Sequence, residues 1–267
     1  MSTTTAISSS AKPKPTLIFV HGAWHQPSTW NKLTPLLCAQ DYTCIKISLP
    51  STQGSNTATL GDDIAAVRSS ISNETSAGRD VIVIAHSYGG AVGQSAIKGF
   101  TRPNDSPSES HGHVLGLILI SSGFGITGQS FIGGLGGVPP PTWSAAPTGY
   151  AELTNIIPSA ELFYHDLPAD EAEYWVSQLT KQSLKALMEG GEDSYSGWKD
   201  CKTWILLSVE DKAFPVEAQR ALVGWARGEG AKVEVRELAS SHSAMLSQPE
   251  KVAEFVVEAV DDFVGEK

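Results

Sequence analysis

Short runs of apolar residues recur along the chain, and Gly, Pro, Asp or Ser residues bound each run. The runs are rich in β-branched and other apolar side chains, and their hydrophobicity is continuous rather than alternating. Continuous hydrophobicity is typical of strands that are buried on both faces, as in a parallel sheet covered by helices. The predicted strands are residues 16–20, 43–48, 81–85, 114–121, 203–209 and 232–238.

Helical patterns fall between these strands, at residues 28–40, 60–76, 88–100, 216–227 and 250–264. In the last two segments the apolar residues recur at the i, i+3, i+4, i+7 spacing of an amphipathic helix. Alternation of strands and helices predicts right-handed crossovers and an open twisted α/β sheet of about six strands, with helices on both faces.

The segment 122–200 has no predicted sheet strand and breaks this alternation. It begins with a glycine-rich stretch, continues through three consecutive prolines at 139–141, and then shows helical patterns at 150–157, 169–179 and 182–189. Because so long a structureless loop is uncommon inside a compact domain, we expect an inserted helical cap over the sheet. The core would then comprise residues 16–121 and 201–267, and the Ser/Thr-rich residues 1–15 would form a disordered tail.

The composition excludes several classes of partner. The chain has 267 residues, 41% hydrophobic and 18% charged, which is ordinary for a soluble globular protein. The net charge of −10 and the absence of a Lys/Arg cluster argue against a nucleic-acid partner. No apolar run reaches the ~18 residues of a membrane helix. Cys38, Cys44 and Cys201 fit no zinc pattern, so we expect free thiols, no metal and a cytoplasmic location.

The most informative segment is the one around Ser87. A buried strand runs into Ala85, His86, Ser87, Tyr88 and Gly89, and a helical pattern follows. A serine between small residues at a strand-to-helix turn is the nucleophile-elbow pattern, although alanine stands where glycine is commonest. Larger side chains at the two small positions would collide with the neighbouring strand and helix. We therefore predict that Ser87 is a nucleophile.

An acyl-transfer enzyme also needs backbone donors aimed at the developing oxyanion. The amide of Tyr88, directly after the candidate nucleophile, is one candidate. The first predicted strand ends in His21 and Gly22, so the amide of Ala23 in the next loop is the other. We expect His21 to hold this loop rather than to act as a base.

Two further polar residues follow strand ends later in the chain. Asp211 comes after the fifth predicted strand, before a helix that Pro215 opens, and Glu210 is the alternative acid. His242 lies between the last strand and the last helix. A carboxylate can accept the Nδ1–H of a histidine and fix its tautomer. The order Ser87, Asp211, His242 is the order typical of α/β-hydrolases, which predicts a Ser-His-Asp triad.

These motifs resemble the small α/β-hydrolases of the plant methylesterase and hydroxynitrile-lyase group and their fungal and bacterial relatives. The resemblance extends from residue 16 to residue 264 and is vaguest across the cap. The residues that carry it are 21–25 with Trp30, the elbow at 85–90, and 241–249.

The resemblance implies a serine hydrolase that needs no cofactor and cleaves a small to medium apolar ester, lactone or thioester. Lyase members carry a Thr after the first strand and a Lys directly after the catalytic His, where this chain has Ala23 and Ser243. The difference favours ester hydrolysis over cyanohydrin cleavage. Cofactor-free carbon–carbon cleavage in the same site, or ligand binding without turnover, are the alternatives.

The predicted partner is a small molecule bound between the sheet and the cap, where open α/β folds hold their ligands. A second copy of the chain, in a homodimer, is the other partner that we consider. The candidate substrate-binding residues are the aromatic residues Trp24, Phe131, Trp143, Tyr150, Phe163 and Trp175.

Overall fold

A six-stranded parallel sheet forms the centre of the structure, a computed structural model that describes residues 13–102 and 111–265. The strands in chain order are β1 (Thr16–Val20), β2 (Cys44–Ile47), β3 (Val81–His86), β4 (Val114–Ile120), β5 (Trp143–Ala145), β6 (Tyr150–Leu153), β7 (Gln182–Ser183), β8 (Thr203–Ser208) and β9 (Val233–Leu238). The helices are α1 (Thr34–Cys38), α2 (Leu60–Ser76), α3 (Gly89–Ala96), α4 (Ser159–Tyr164), α5 (Ala169–Ser177), α6 (Leu184–Met188), α7 (Val216–Gly228), α8 (Ala244–Ser247) and α9 (Pro249–Gly265).

The strands of this sheet lie in the order β2-β1-β3-β4-β8-β9, and every neighbouring pair is parallel. Their carboxyl ends therefore meet at one edge of the sheet. The strand order reverses at β1, because β2 lies on one side of it and β3 lies on the other. Such a switch point opens a crevice in which ligands of open α/β folds bind.

Alternate side chains of each strand enter two separate hydrophobic layers. In β1, Ile18 and Val20 pack with residues of α2, α3 and α7, whereas Leu17 and Phe19 pack with residues of α1, α4, α5 and α9. All four side chains have no exposed surface. This burial on both faces is the reason why the four central strands β1, β3, β4 and β8 are continuously apolar. The expectation of burial on both faces is wrong for the edge strands β2 and β9, which are partly exposed and carry charged residues.

Most predicted elements are present with small changes at their ends. Helix α2 has the predicted bounds because Thr59 and Asp62 form a capping box that fixes its first turn. The helix predicted at 28–40 is wrong as one element. It is a 3₁₀ turn at Pro27–Trp30 followed by the short α1, since Pro35 has no amide hydrogen to donate back to the preceding turn.

The inserted segment contains strands as well as helices, so it is not purely helical. Strands β5, β6 and β7 form a small antiparallel sheet in that order. Residues 150–157 were expected to be helical, but Tyr150–Leu153 is the central strand of this sheet. Its conformation depends on pairing with Trp143–Ala145 and Gln182–Ser183. Because the partner strands are separate segments of the chain, the residues of Tyr150–Leu153 do not by themselves show a strand pattern.

Two sequence predictions fall largely outside the described residues: most of the N-terminal tail, and the middle of the loop predicted at 101–112. None of the helices in the described ranges is long and apolar enough to cross a membrane.

Candidate active site

Ser87 lies in a sharp turn between β3 and α3. Its φ angle is +53°, in the left-handed region that residues other than glycine rarely adopt. Two hydrogen bonds hold this conformation: the Ser87 amide donates to the Ile120 carbonyl at 3.1 Å, and the Ser122 hydroxyl donates to the Ser87 carbonyl at 2.7 Å. Strain of this kind persists only where the surrounding structure fixes it, and it clusters at functional sites.

The small residues around Ser87 allow the helix to lie close against the sheet. A Cβ on Gly89 would be 2.5 Å from the His21 carbonyl oxygen, and a Cβ on Gly93 would be 3.2 Å from the Ala85 Cβ. A larger residue at either position would push α3 away from β1 and β3. The packing thus explains the small-x-Ser-x-Gly pattern of the sequence.

Asp211 and His242 are joined by a hydrogen bond. The His242 Nδ1–H donates to Asp211 Oδ2 at 2.7 Å, and both side chains are buried. The other carboxylate oxygen, Oδ1, accepts from the amides of Ala213 and Phe214, both at 2.8 Å. Because these amides fix the carboxylate, the His242 ring is held with its proton on Nδ1 and with Nε2 free to accept a proton.

Glu210, the alternative acid, is not placed for this role. It is exposed, and its carbonyl oxygen accepts a hydrogen bond from His165 Nε2 at 2.8 Å. Asp211 is the carboxylate that contacts His242.

Ser87 and His242 line the same cavity, which has a volume of about 490 Å³. The rings of His86 and His242 pack at a centroid distance of 4.6 Å, and His86 Nε2–H donates to the His242 carbonyl at 2.9 Å. The loop after β9 is therefore bonded directly to the turn after β3, and both residues lie at the wall of one cavity.

The amides of Ala23 and Tyr88 donate to no acceptor within the described part of the chain. The loop that carries Ala23 is close to the candidate nucleophile, because a Cβ on Gly22 would be 3.0 Å from the Ser87 Cβ. Ala23 and Tyr88 both line the cavity, so their two amides are backbone donors that are not used within the described structure.

Two histidines set the orientation of the Ala23 amide. His21 Nδ1–H donates to the Gly22 carbonyl at 2.9 Å, and the His25 amide donates to the same oxygen at 3.3 Å. Since a peptide unit is planar and trans, holding the Gly22 oxygen on one side directs the Ala23 N–H to the other side. The structure thus agrees with the expectation that His21 supports the loop.

Burial keeps these two histidines neutral. Desolvation lowers the pKa of His21 to about 4 and the pKa of His25 to about 3. His25 Nδ1–H donates to the Ala23 carbonyl at 2.7 Å, and its Nε2 accepts from the Tyr164 hydroxyl at 2.9 Å. His21 Nε2 accepts from the Leu49 amide at 3.4 Å. Since both ring nitrogens of each histidine are engaged, neither is available as a base for the cavity.

The inserted segment contacts the loops that carry the acid and the histidine. Asp166 Oδ2 accepts from the Ser241 amide at 2.9 Å, and the Phe163 carbonyl accepts from the Ser241 hydroxyl at the same distance. The Phe163 ring packs against the His242 ring at a centroid distance of 5.7 Å. The position of His242 therefore depends on this segment.

The walls of the cavity carry no Asp, Glu, Lys or Arg side chain within the described part of the chain. His242 and Tyr88 are the ionisable residues that line it there, and the Tyr88 hydroxyl is already bonded to buried Asp63 at 2.7 Å. A cavity with this lining favours an uncharged, mostly apolar molecule.

Trp24, Phe131, Trp143 and Phe163 line the cavity as the sequence predicted. The prediction for Tyr150 and Trp175 is corrected, since neither lines it.

Tyr150 and Trp175 are engaged elsewhere. The Tyr150 hydroxyl donates to the Gly54 carbonyl at 2.6 Å, with the Lys181 ammonium 4.7 Å from its ring centroid. Trp175 is buried in the hydrophobic layer that contains Leu17 and Phe19, and its indole N–H donates to Glu171 at 3.1 Å. An aromatic side chain in the inserted segment is thus not sufficient evidence of a cavity wall.

Sequence reasoning missed the part of the wall formed by α3 and α7. Gln94 and Ala91 come from α3, and Ala218, Ala221 and Leu222 come from α7. The sequence predicts the apolar stripe of α7 but does not show which surface it contacts. Part of it faces the cavity.

The sequence profile of the alpha/beta hydrolase family matches residues 17–255. The alpha/beta hydrolase nvfD of Aspergillus novofumigatus is 26% identical over 253 residues, which is 94% of this chain and 98% of that protein.

Two solved structures have similar folds. Polyneuridine aldehyde esterase has a TM-score of 0.73 at 18% identity, over 93% of this chain and all of that one. The methylesterase MES16 from Arabidopsis has a TM-score of 0.68 at 18% identity, over 92% of this chain and 99% of that one. The predicted fold class and the predicted likeness to plant methylesterases are confirmed.

Proposed function

Because the chain belongs to the alpha/beta hydrolase family, we propose that it is a serine hydrolase that cleaves a neutral carboxylic ester, lactone or thioester through an acyl-enzyme. One observation carries this proposal: Ser87, in its strained turn, and His242, bonded to Asp211 at 2.7 Å, line one uncharged cavity. A nucleophile, a base and an oriented carboxylate are the groups that acyl transfer requires.

In the first half of the reaction, His242 Nε2 removes the proton from the Ser87 hydroxyl as Oγ attacks the substrate carbonyl carbon. The negative charge that develops on the carbonyl oxygen is stabilised by the amides of Ala23 and Tyr88. Asp211 stabilises the imidazolium that forms. The tetrahedral intermediate then collapses: its bond to the leaving oxygen or sulfur breaks, and His242 gives its proton to that atom.

In the second half, water enters the site and His242 removes its proton. The hydroxide oxygen attacks the acyl carbon, and the bond to Ser87 Oγ breaks as His242 returns the proton to the serine. The products are a carboxylic acid and an alcohol or thiol, and the enzyme is regenerated. The proposed mechanism uses neither a metal ion nor an organic cofactor.

The lining of the cavity supports a neutral substrate. Trp24, Phe131, Trp143 and Phe163 offer aromatic surface, and no acid, lysine or arginine of the described residues lines the walls. A volume of about 490 Å³ is within the range of pockets that enclose small to medium organic molecules. We therefore propose these four aromatic residues as substrate-binding residues.

We also propose that the protein is located in the cytoplasm, since the cysteines Cys38, Cys44 and Cys201 are free thiols.

The proposal is tested by steady-state and burst kinetics with p-nitrophenyl esters of increasing acyl length, comparing the wild-type protein with Ser87→Ala. The wild type should release a burst of p-nitrophenol with slower turnover, and Ser87→Ala should lose both. Ser144→Ala, a change at an exposed serine outside the cavity, is the matched control and should behave as wild type. Full activity of Ser87→Ala would contradict the proposal. Tight ligand binding by the wild type without turnover would instead favour a binding module.

A further inference from the structure

Helix α3 extends the wall of the cavity away from Ser87. Ala91, Gln94 and Ser95 line the cavity at the spacing of one helix face. At 1.5 Å of rise per residue, Gln94 lies about 10 Å along the chain direction of α3 from the proposed nucleophile. A substrate that fills this part of the cavity would therefore place its far end beside Gln94.

The Gln94 side-chain amide has one partner and one open acceptor. It is 1% exposed, and its Nε2 donates to the Gly123 carbonyl at 3.3 Å. Its Oε1 is buried and accepts no hydrogen bond from the described residues. The reverse orientation of the amide would bring two oxygen acceptors together at Gly123, so the observed orientation is the favoured one.

The serine hydroxyls of the same wall are already bonded within the protein. Ser95 Oγ donates to the Ala91 carbonyl at 2.7 Å, and Ser121 Oγ bonds Ser208 Oγ at 2.7 Å. Ser194 Oγ donates to the Gly191 carbonyl at 2.8 Å. Of the described residues that line the cavity, Gln94 is the one whose side chain has a buried polar atom without a partner.

We propose that Gln94 is a specificity-determining residue whose Oε1 accepts a hydrogen bond from a hydroxyl group of the substrate at a distance from the reacting carbonyl. The inference rests on the proposed esterase function and names its substrate class: apolar esters, lactones or thioesters with a distal hydroxyl. A neutral hydroxyl fits because the described wall holds no charged carboxylate or cation to pair with an ionic group.

The physical reason is the cost of a buried acceptor that loses its partner. Oε1 is already shielded from water in the free protein and stays unsatisfied beside an apolar substrate, whereas a substrate hydroxyl placed next to it satisfies it. A site built to bind a substrate hydroxyl rejects the analogue that lacks it. We expect kcat/KM to be about tenfold higher for the hydroxylated substrate of optimal length.

The experiment uses pairs of p-nitrophenyl esters of increasing chain length, an ω-hydroxyacyl ester beside the ω-methyl ester with the same number of heavy atoms. A parallel series carries the hydroxyl in the alcohol half, as monoacetates of α,ω-diols beside acetates of alkanols. For the wild type, the hydroxyl preference in kcat/KM should rise to a maximum at one chain length. For Gln94→Met, which keeps the unbranched shape but has no amide oxygen, the preference should disappear while the ω-methyl esters remain substrates.

Gln129→Met is the matched control. Gln129 also lines the cavity, but its side chain is exposed and can bond water, so this variant should keep the wild-type preference. Absence of any hydroxyl preference in the wild type, or an equal preference in folded Gln94→Met, would overturn the inference while leaving the esterase proposal intact. Failure of the wild type to hydrolyse any ester would contradict the esterase proposal instead. The subsite is then tested by tryptophan fluorescence titration of diols against matched alkanols, where equal affinities would overturn it.

Discussion

The replacement Asp211→Asn tests the proposed role of the buried carboxylate. The Asp211 oxygens accept four hydrogen bonds: Oδ1 from the amides of Ala213 and Phe214, and Oδ2 from His242 Nδ1 at 2.7 Å and Gln219 Nε2 at 3.2 Å. In the asparagine variant the amide oxygen should face the two backbone donors, because an NH₂ group there would oppose them. The NH₂ group then faces His242.

This orientation changes the tautomer of the histidine. An Nδ1–H directed at an NH₂ group has no acceptor, so His242 should carry its proton on Nε2 and accept at Nδ1. Nε2 is then unable to take the proton of Ser87, and the imidazolium loses its counter-charge. In the serine-protease triad the same change lowers kcat about 10⁴-fold. We expect a loss of this order, or about 5 kcal/mol in the activation free energy.

The assay is kcat/KM for the best p-nitrophenyl ester, with circular dichroism and thermal unfolding to establish that Asp211→Asn is folded. Glu210→Gln is the matched control, since it makes the same chemical change at the exposed neighbouring acid. It should stay within about twofold of wild type. An Asp211→Asn variant within tenfold of wild type, or an equal loss in Glu210→Gln, would refute the assignment of the acid.

Three further predictions concern packing, the inserted segment and pH. Gly89→Ala should lower the free energy of unfolding by about 1–3 kcal/mol and reduce kcat, because its Cβ would be 2.5 Å from the His21 carbonyl oxygen; urea unfolding and ester kinetics measure both. Asp166→Ala removes the acceptor of the Ser241 amide and should lower kcat roughly tenfold through the adjoining histidine loop, with little change in KM. The pKa values of His21 and His25 are lowered to about 4 and 3 in the folded state, while the unfolded chain binds both protons near pH 6.5. The full contribution of these two groups is therefore present above about pH 7, and urea unfolding should show that they cause a loss of about 2 kcal/mol as the pH falls from 6 to 5.

Each of these predictions has a control or a result that contradicts it. Gly224→Ala places a Cβ in α7 where no atom lies within 4 Å, so it should raise stability by about 0.5–1 kcal/mol. If it destabilises as much as Gly89→Ala, the steric argument fails. Asp170→Ala, at an exposed acid in the first turn of α5, should leave kcat unchanged. A free energy of unfolding that is constant between pH 7 and pH 5 would contradict the buried neutral histidines.

The sequence predicted the parts of the fold whose signals are local. The turn at Ser87 is predicted by the apolar strand before it and by the small residues Ala85 and Gly89. Close packing of the helix requires small side chains on both sides of the serine in the sequence, so the signal is local. The prediction of Asp211 and His242 as the acid and the base rests on the order of the serine, the acid and the histidine along the chain. Their proximity in space then follows from the parallel order of the strands.

The parts that were missed depend on contacts between distant segments. The strand at Tyr150–Leu153 exists because it pairs with Trp143–Ala145 and Gln182–Ser183, and no local pattern indicates that pairing. Trp175 carries the same aromatic signal as Trp143, yet it packs in a different hydrophobic layer and does not line the cavity. The Gln94 amide is oriented by its hydrogen bond to the Gly123 carbonyl, a contact between segments 29 residues apart that the sequence does not reveal.

The most direct test of the central claim is the intact mass of the protein after incubation with a fluorophosphonate, measured for the wild type and for Ser87→Ala. Ser87 activated by His242 should give one adduct on the folded wild type and none on the variant. An adduct of equal extent on Ser87→Ala, or none on a wild-type protein whose cavity admits small esters, would contradict the assignment of Ser87 as the nucleophile.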